Sequence, residues 1–424
     1  MKKLLKILLS LFILALLFFG VFLAVNLWPR AVEPPLWTEA DLELPQEKDQ
    51  NGYYFMLQMQ EDPNLESLFS SEIDNGMEVP GDLEGYTSLG FFENPTDRTL
   101  FWMDAKGLQP VFSAFVEKYR PQIEEYEKFI SFPQFVDQTP ILLDERRKTN
   151  WLFYHDLHKL GKMHILNQIL KGNNDQAYAF WLKMFEQDVS LLKSARGLLT
   201  HMIALSDVKA DLSLLDGIRQ FPPSAELQTK IRQALQDFDP SSFDMRRAVI
   251  MEYLEHQSSA DAIQKGARKE TALRPRISFN RAVFQREEND YFRRLDRYRK
   301  EPAAITEEAL KQFEQESNKL NYAAGGKYGQ LFNGKHDPFW WFFNPAGKVL
   351  RAIVTVNFIG RIQEFHHTLE DIQKMKSQLL AGALFSTAPE TQKSETQSAE
   401  TQPAESHPTE TKKLDPTEIQ KDAL

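Results

Sequence analysis

His155, His158 and His164 fall within ten residues of one another, with Asp156 between the first two. The spacing around them predicts a helix, and residues three apart on a helix share a face, as His155 and His158 do. Two imidazoles on one face could begin a zinc site. No His-Glu-x-x-His occurs, and spacing fixes no third, carboxylate ligand, so packing and surface roles are the favoured reading. His164 also fits the apolar side of the same helix. A second group is His366-His367 with Glu364 and Glu370. Adjacent helical side chains point about 100° apart, so these two imidazoles are poorly placed for one ion.

Other reactive patterns are missing. Gly325, Gly326, Gly329 and Gly334 lie near Lys327 and Lys335, but not at the spacing of a phosphate-binding loop. No Gly-x-Ser-x-Gly elbow is present. The carboxylates are many but scattered, which gives paired-acid glycoside chemistry no fixed pair. The chain has no Cys, which removes thiol nucleophiles, thiolate metal sites and disulfides. The sequence therefore assigns no catalytic residue, no cofactor and no metal ligand.

Charge marks a different kind of candidate. The 424 residues carry a net −10, but residues 265–300 hold 12 basic and 5 acidic side chains, nine of the basic ones Arg. Residues 31–264 hold 21 basic and 38 acidic. Arginine suits carboxylate and phosphate forks. Arg274, Arg276, Arg281, Arg286, Arg293, Arg294, Arg297 and Arg299 thus mark a surface for a partner or lipid, the competing reading being pairing within the chain. Nucleic acid is not expected. Trp340 and Trp341, in a run of four aromatics, are a second candidate contact, against the commoner reading of a loop packed on the core.

The elements that must carry these residues are helical. A 42% hydrophobic and 12% aromatic composition excludes a disordered polyelectrolyte. Ile7 to Val25 are 19 uncharged, mostly apolar residues preceded by three lysines. This predicts a single transmembrane anchor within 1–28, with the N-terminus cytoplasmic and the body in the periplasm; the competing reading is a cleaved signal peptide, against which the apolar run is long. Residues 29–50, rich in Pro and acids, predict an extended, solvated linker. Residues 51–385 form the body. Its first part, 51–110, is broken by Pro and Gly and reads as irregular after a short helix near Tyr54. From 111 onward apolar residues recur every three or four positions. Pro121 divides one helix from the next. Gly172-Asn173-Asn174-Asp175 makes a hairpin turn, after which one helix of about 30 residues runs past Gly197. Asn344-Pro345 starts a last helix, with an interruption near Gly360. Residues 386–424, with Glu-Thr-Gln at 390, 395 and 400, predict a disordered polar tail. The fold class is mainly α: packed antiparallel helical hairpins, helical-repeat-like without a true repeat.

Asn51-Gly52-Tyr53-Tyr54, His201-Met202-Ile203-Ala204-Leu205 in its long helix, and Asn344-Pro345-Ala346-Gly347-Lys348-Val349-Leu350 together carry a resemblance. Over about residues 1–385 the chain resembles a group of single-span, mostly helical bacterial envelope proteins without an assigned activity. The resemblance implies location and architecture, and supplies no catalytic residue. Members of that group often carry a further folded segment after the last helix, where this chain has its polar tail. The expected function is a membrane-anchored periplasmic scaffold or adaptor that binds another envelope protein. The alternatives are a cell-wall glycan hydrolase and a lipid-contacting protein.

Overall fold

The structure, a computed structural model, describes residues 2–27, 31–62, 95–141, 149–269, 280–311, 358–382 and 384–385. Among these the regular structure is helical, and the one β-type pairing is an isolated bridge between Asn51 and Gln134. The helices are α1 (Lys2–Leu27), α2 (Gly52–Glu61), α3 (Pro95–Lys118), α4 (Arg120–Phe129), α5 (Trp151–Leu170), α6 (Asn174–Ser194), α7 (Leu198–Ile218), α8 (Ala225–Asp237), α9 (Arg246–Lys269), α10 (Arg281–Lys300) and α11 (Phe358–Ala381). At the centre α5, α6 and α7 pack against one another, with α6 most extensively against the other two. Helices α3 and α4 cover α5, α11 lies on α7, and α9 pairs with α10.

Several boundaries follow the sequence signals. Asn51 caps α2 by accepting the Tyr53 N–H at 3.1 Å. Pro121 sits in the first turn of α4, where a missing N–H costs nothing. Gly172 takes φ 77° in the α5–α6 turn, a left-handed position that glycine fills without strain.

Other expectations are corrected. Residues 95–110 are not irregular, because α3 begins at Pro95 and runs through Gly107 and Pro110. Phe101, Leu108, Phe112 and Phe115 are all buried along it. Burying a large apolar side chain gains about 1.5–3 kcal/mol, so together they outweigh the roughly 3 kcal/mol cost of an interior proline. The predicted 30-residue helix is two helices, broken at Ala195-Arg196-Gly197. Ala195 and Gly197 are extended there, with ψ 130° and 157°. The segment 135–139 replaces the hydrogen bonds lost in the break. Ser194 Oγ donates to the Phe135 carbonyl at 2.8 Å, and the Arg196 N–H donates to Asp137 Oδ2 at 2.7 Å. Asp239-Pro240 is a sequence signal for a helix restart near Ser242, but residues 240–242 form a short 3-10 turn and α9 starts at Arg246. Gly360 itself lies inside α11, which is described from Phe358, while residues 351–357 just before it lie outside the described residues.

The linker is also not a free spacer. Leu42 is buried, and the edge of Trp37 meets the rings of Tyr253 and Phe292 at 5.4 and 6.4 Å. The Leu36 N–H donates to the Tyr253 hydroxyl at 2.9 Å, and Asn289 Nδ2 donates to the Pro34 carbonyl at 3.2 Å. Residues 33–42 thus form a strap across α9 and α10. Apolar Leu36, Trp37 and Leu42 gain more by burial than an extended, solvated chain would allow.

At the N-terminus α1 is continuous for 26 residues, and its large apolar side chains from Leu9 to Val21 are about half exposed or more. Among the described residues no helix is long and apolar enough to cross a membrane. The expected spanning helix is therefore not found among them. The helix itself is present, while side chains at both its ends, Leu4, Leu5, Phe22 and Leu23 among them, lie outside the described set. The tail 386–424 and the Asn344-Pro345 helix start also lie outside the described residues.

Candidate functional site

Helix α7 is buried along almost its whole surface, as suits the middle of a layered bundle. Two carboxylates interrupt it, Asp207 and Asp211, four residues apart and on one face. Both are fully buried. Opposite them α5 presents His155 and His158, and α6 presents Asp188.

His158 is the hub. Its Nε2 lies 3.0 Å from Asp211 Oδ1 and 3.2 Å from Asp188 Oδ2. Its Nδ1 faces Asp207 Oδ1 at 3.6 Å. The Asp207 oxygen also meets His155 Nδ1 at 3.1 Å, and His155 is the one member at the rim, with its side chain 22% exposed. Tyr154 donates its hydroxyl hydrogen to Asp188 Oδ1. Trp181 Nε1 donates to the backbone carbonyl of Asp211 at 2.9 Å, which fixes α6 against α7. Tyr126 of α4 completes the wall, and its buried hydroxyl has no hydrogen-bond partner.

Electrostatics follow from this geometry. Burial disfavours charge on His158, but Asp207, Asp188 and Asp211 outweigh it and hold the imidazole pKa well above its usual value. Burial, reinforced by the Asp188 charge and only partly offset by His158, pushes Asp211 well above the ordinary carboxylate range. Burial and the same carboxylates keep the phenols of Tyr126 and Tyr154 un-ionised. Asp207 Oδ2 and Asp211 Oδ2 have no hydrogen-bond partner, and neither has His158 Nδ1; Asp188 Oδ2 has only the ion pair to His158 Nε2, whose hydrogen goes to Asp211 Oδ1. Burying carboxylate oxygens without partners costs several kcal/mol each unless a cation or proton satisfies them.

The structure thus places a carboxylate set beside the His155–His158 pair that spacing did not reveal. The signal was in the sequence as two Asp at i and i+4 within an apolar helix, next to a helix with two His at i and i+3. Nothing local linked the two helices. His164 lies away from the centre, against Phe180 at 4.9 Å. His367 is exposed and faces Glu370 at 3.7 Å, so the His366-His367 group gathers no further ligands among the described residues.

The Arg-rich segment divides. Arg281 pairs with Asp261 at 3.1 Å and also bonds Gln257 and Gln285. Arg299, buried, pairs with Asp244 and Asp296 at 2.5 and 2.8 Å. These two are structural, as the within-chain reading expects. Arg286 is exposed, and the side chains of Arg293, Arg297 and Lys300 are 55%, 69% and 60% exposed. Spacings of seven, four and three put these four on one outward stripe of α10. Arg293 reaches Asp290 at 3.1 Å and Arg297 reaches Glu301 at 3.7 Å, exposed pairs of the weak kind. Arg294 is half-buried. Arg274, Arg276, Trp340 and Trp341 lie outside the described residues.

A second buried polar group joins α9 to α10. His256 Nδ1 meets Glu288 at 2.6 Å, and the Tyr253 hydroxyl donates to Asn289 at 2.9 Å. The latter pair also holds the strap. No protein-family model, curated protein or solved structure matches the chain.

Proposed function

We propose that the chain is a membrane-anchored helical scaffold of the bacterial envelope, which binds another envelope protein through its helical surface. In this reading α1 is the anchor, the N-terminus is cytoplasmic and the body is periplasmic. The observation that supports it is the strap. It fastens residues 33–42, which follow α1 in the chain, to α9 and α10 of the body. Glycan hydrolysis finds less support. The neighbouring carboxylates Asp188 and Asp211 are sealed in the bundle, where a polysaccharide does not reach.

The test has two arms. The full chain should sediment with membranes and resist carbonate washing, while a chain lacking residues 2–27 should become soluble. Crosslinking in cells, then purification from detergent-solubilised membranes, should recover one envelope protein reproducibly. A full chain that stays soluble, or a crosslinked chain that recovers no partner, overturns the proposal.

A second reading is favoured by one distance. Glu33 of the strap lies 3.9 Å from Arg293, only six residues beyond the end of α1. Six residues span at most about 20 Å, so the α10 stripe would lie near a membrane that held α1. Arginines there suit anionic headgroups. Charge reversal of Arg286, Arg293 and Arg297 should then lower binding of the body to phosphatidylglycerol vesicles. Unchanged binding would remove this reading.

A further inference from the structure

We propose that His158, Asp188 and Asp211 form a structural site for one divalent transition-metal ion of the zinc, manganese or iron(II) class, supported by Asp207 and His155. This goes beyond the scaffold reading and does not depend on it.

Three observations carry it. First, the donor atoms converge. One nitrogen of His158 and one oxygen each of Asp188 and Asp211 lie within 4.8 Å of one another. An ion with bonds of about 2.0–2.2 Å holds its ligands roughly 3.5 Å apart. The observed 3.0 and 3.2 Å from Nε2 to the two carboxylates need little adjustment. Second, the imidazole is oriented as metal-bound histidines are. Its Nε2 points to the two ligand carboxylates, and its Nδ1 points to a further carboxylate, Asp207, itself held by His155. The 3.6 Å gap is longer than a hydrogen bond, and closing it on metal binding would let Asp207 set the tautomer and raise the basicity of the ligand imidazole.

Third, the centre contains more buried acceptors than the chain satisfies. Three aspartates with no exposure surround a single buried imidazole; Asp207 and Asp211 each keep an oxygen without a hydrogen-bond partner, and Asp188 Oδ2 shares the one His158 Nε2 with Asp211 Oδ1. The Tyr126 hydroxyl, equally buried, also has no hydrogen-bond partner. A dication would balance Asp188 and Asp211, leaving Asp207 to pair with His155. The donor set narrows the class. One imidazole and two carboxylates suit zinc, manganese or iron(II), while copper(I) prefers sulfur and calcium takes six to eight oxygens. The half-open His155 marks the side from which an ion would enter.

The experiment uses the full chain without a histidine tag, in detergent, stripped with chelator and freed of it. Zinc or manganese chloride alone is the probe. The expected result is one ion per chain by elemental analysis, a raised melting temperature, and an X-ray absorption spectrum with oxygen ligands and one imidazole. His158→Gln and Asp211→Asn should each weaken binding 100-fold or more, while His164→Gln, outside the centre, should leave it intact. A folded wild-type chain that takes up no ion overturns the proposal. So does a bound ion without an imidazole, or a folded His158→Gln chain that binds as tightly as wild type. If either variant fails to fold, the wild-type absorption spectrum decides alone.

Discussion

Gly161 of α5 and Tyr126 of α4 meet with no room for a side chain between them: a Cβ on Gly161 would lie 2.6 Å from the Tyr126 ring. Met184 and Phe180 of α6 close the same spot at 3.0 and 3.2 Å. Glycine is what lets three helices cross beside the His–Asp centre. In an open helix Gly→Ala gains about 1 kcal/mol. Here overpacking of about 1–3 kcal/mol opposes it, because a buried tyrosine ring has nowhere to turn. Gly161→Ala is expected to lower the urea midpoint. A raised midpoint would show that Tyr126 moves freely.

Asp137 governs the break between α6 and α7. Its Oδ1 accepts from the Thr139 N–H and hydroxyl at 2.8 and 2.6 Å, and its Oδ2 from the Arg196 N–H at 2.7 Å. Asp137→Ala leaves these donors without a partner, at about 1–3 kcal/mol for each one buried. Hydrogen exchange should quicken at residues 135–139 and 194–198 before it quickens in α5. Uniform loss of protection would show that the joint is not a local feature.

Much of this architecture is legible in the chain. Period and turn signals place α4, α5 and the α5–α6 turn. What they miss has a common cause. The helix break at Gly197 is set by Asp137, some 60 residues away in sequence, and local pattern favours continuation. The irregular reading of 95–110 gave Gly107 and Pro110 more weight than the four buried side chains that hold them in a helix. The His–Asp centre draws on three helices whose order in space only packing decides. A pair of His on one face was visible, whereas the aspartates beside it come from two other helices, Asp188 from α6 and Asp207 and Asp211 from α7.

The strap depends on the Tyr253 hydroxyl, which accepts from the Leu36 N–H and donates to Asn289. Gln285 Nε2 donates to it as well, at 2.7 Å. Tyr253→Phe keeps the ring against Trp37 and removes all three bonds. Limited proteolysis should then cut within residues 31–50 several times faster, with a change in the global melting temperature of only a few degrees. Resistance equal to wild type would mean that Trp37 and Leu42 hold the strap unaided.

His164 gives the fold a dependence on pH that is separate from the buried centre. Burial, with a smaller contribution from the Lys171 charge, lowers its pKa from the usual 6.5 to about 4. Gln168 Nε2 donates to its Nε2 at 3.4 Å, and its Nδ1 has no partner. The folded chain therefore keeps the imidazole neutral where the unfolded chain protonates it. Between about pH 6.5 and 4 the unfolded state binds the extra proton, so stability falls as pH falls through that window and is fully present above it. His164→Gln should flatten this part of the stability curve, measured by urea unfolding from pH 7 to 4.5. An unchanged slope would place the lost stability on other groups, with His201, whose pKa burial also lowers, the first to examine.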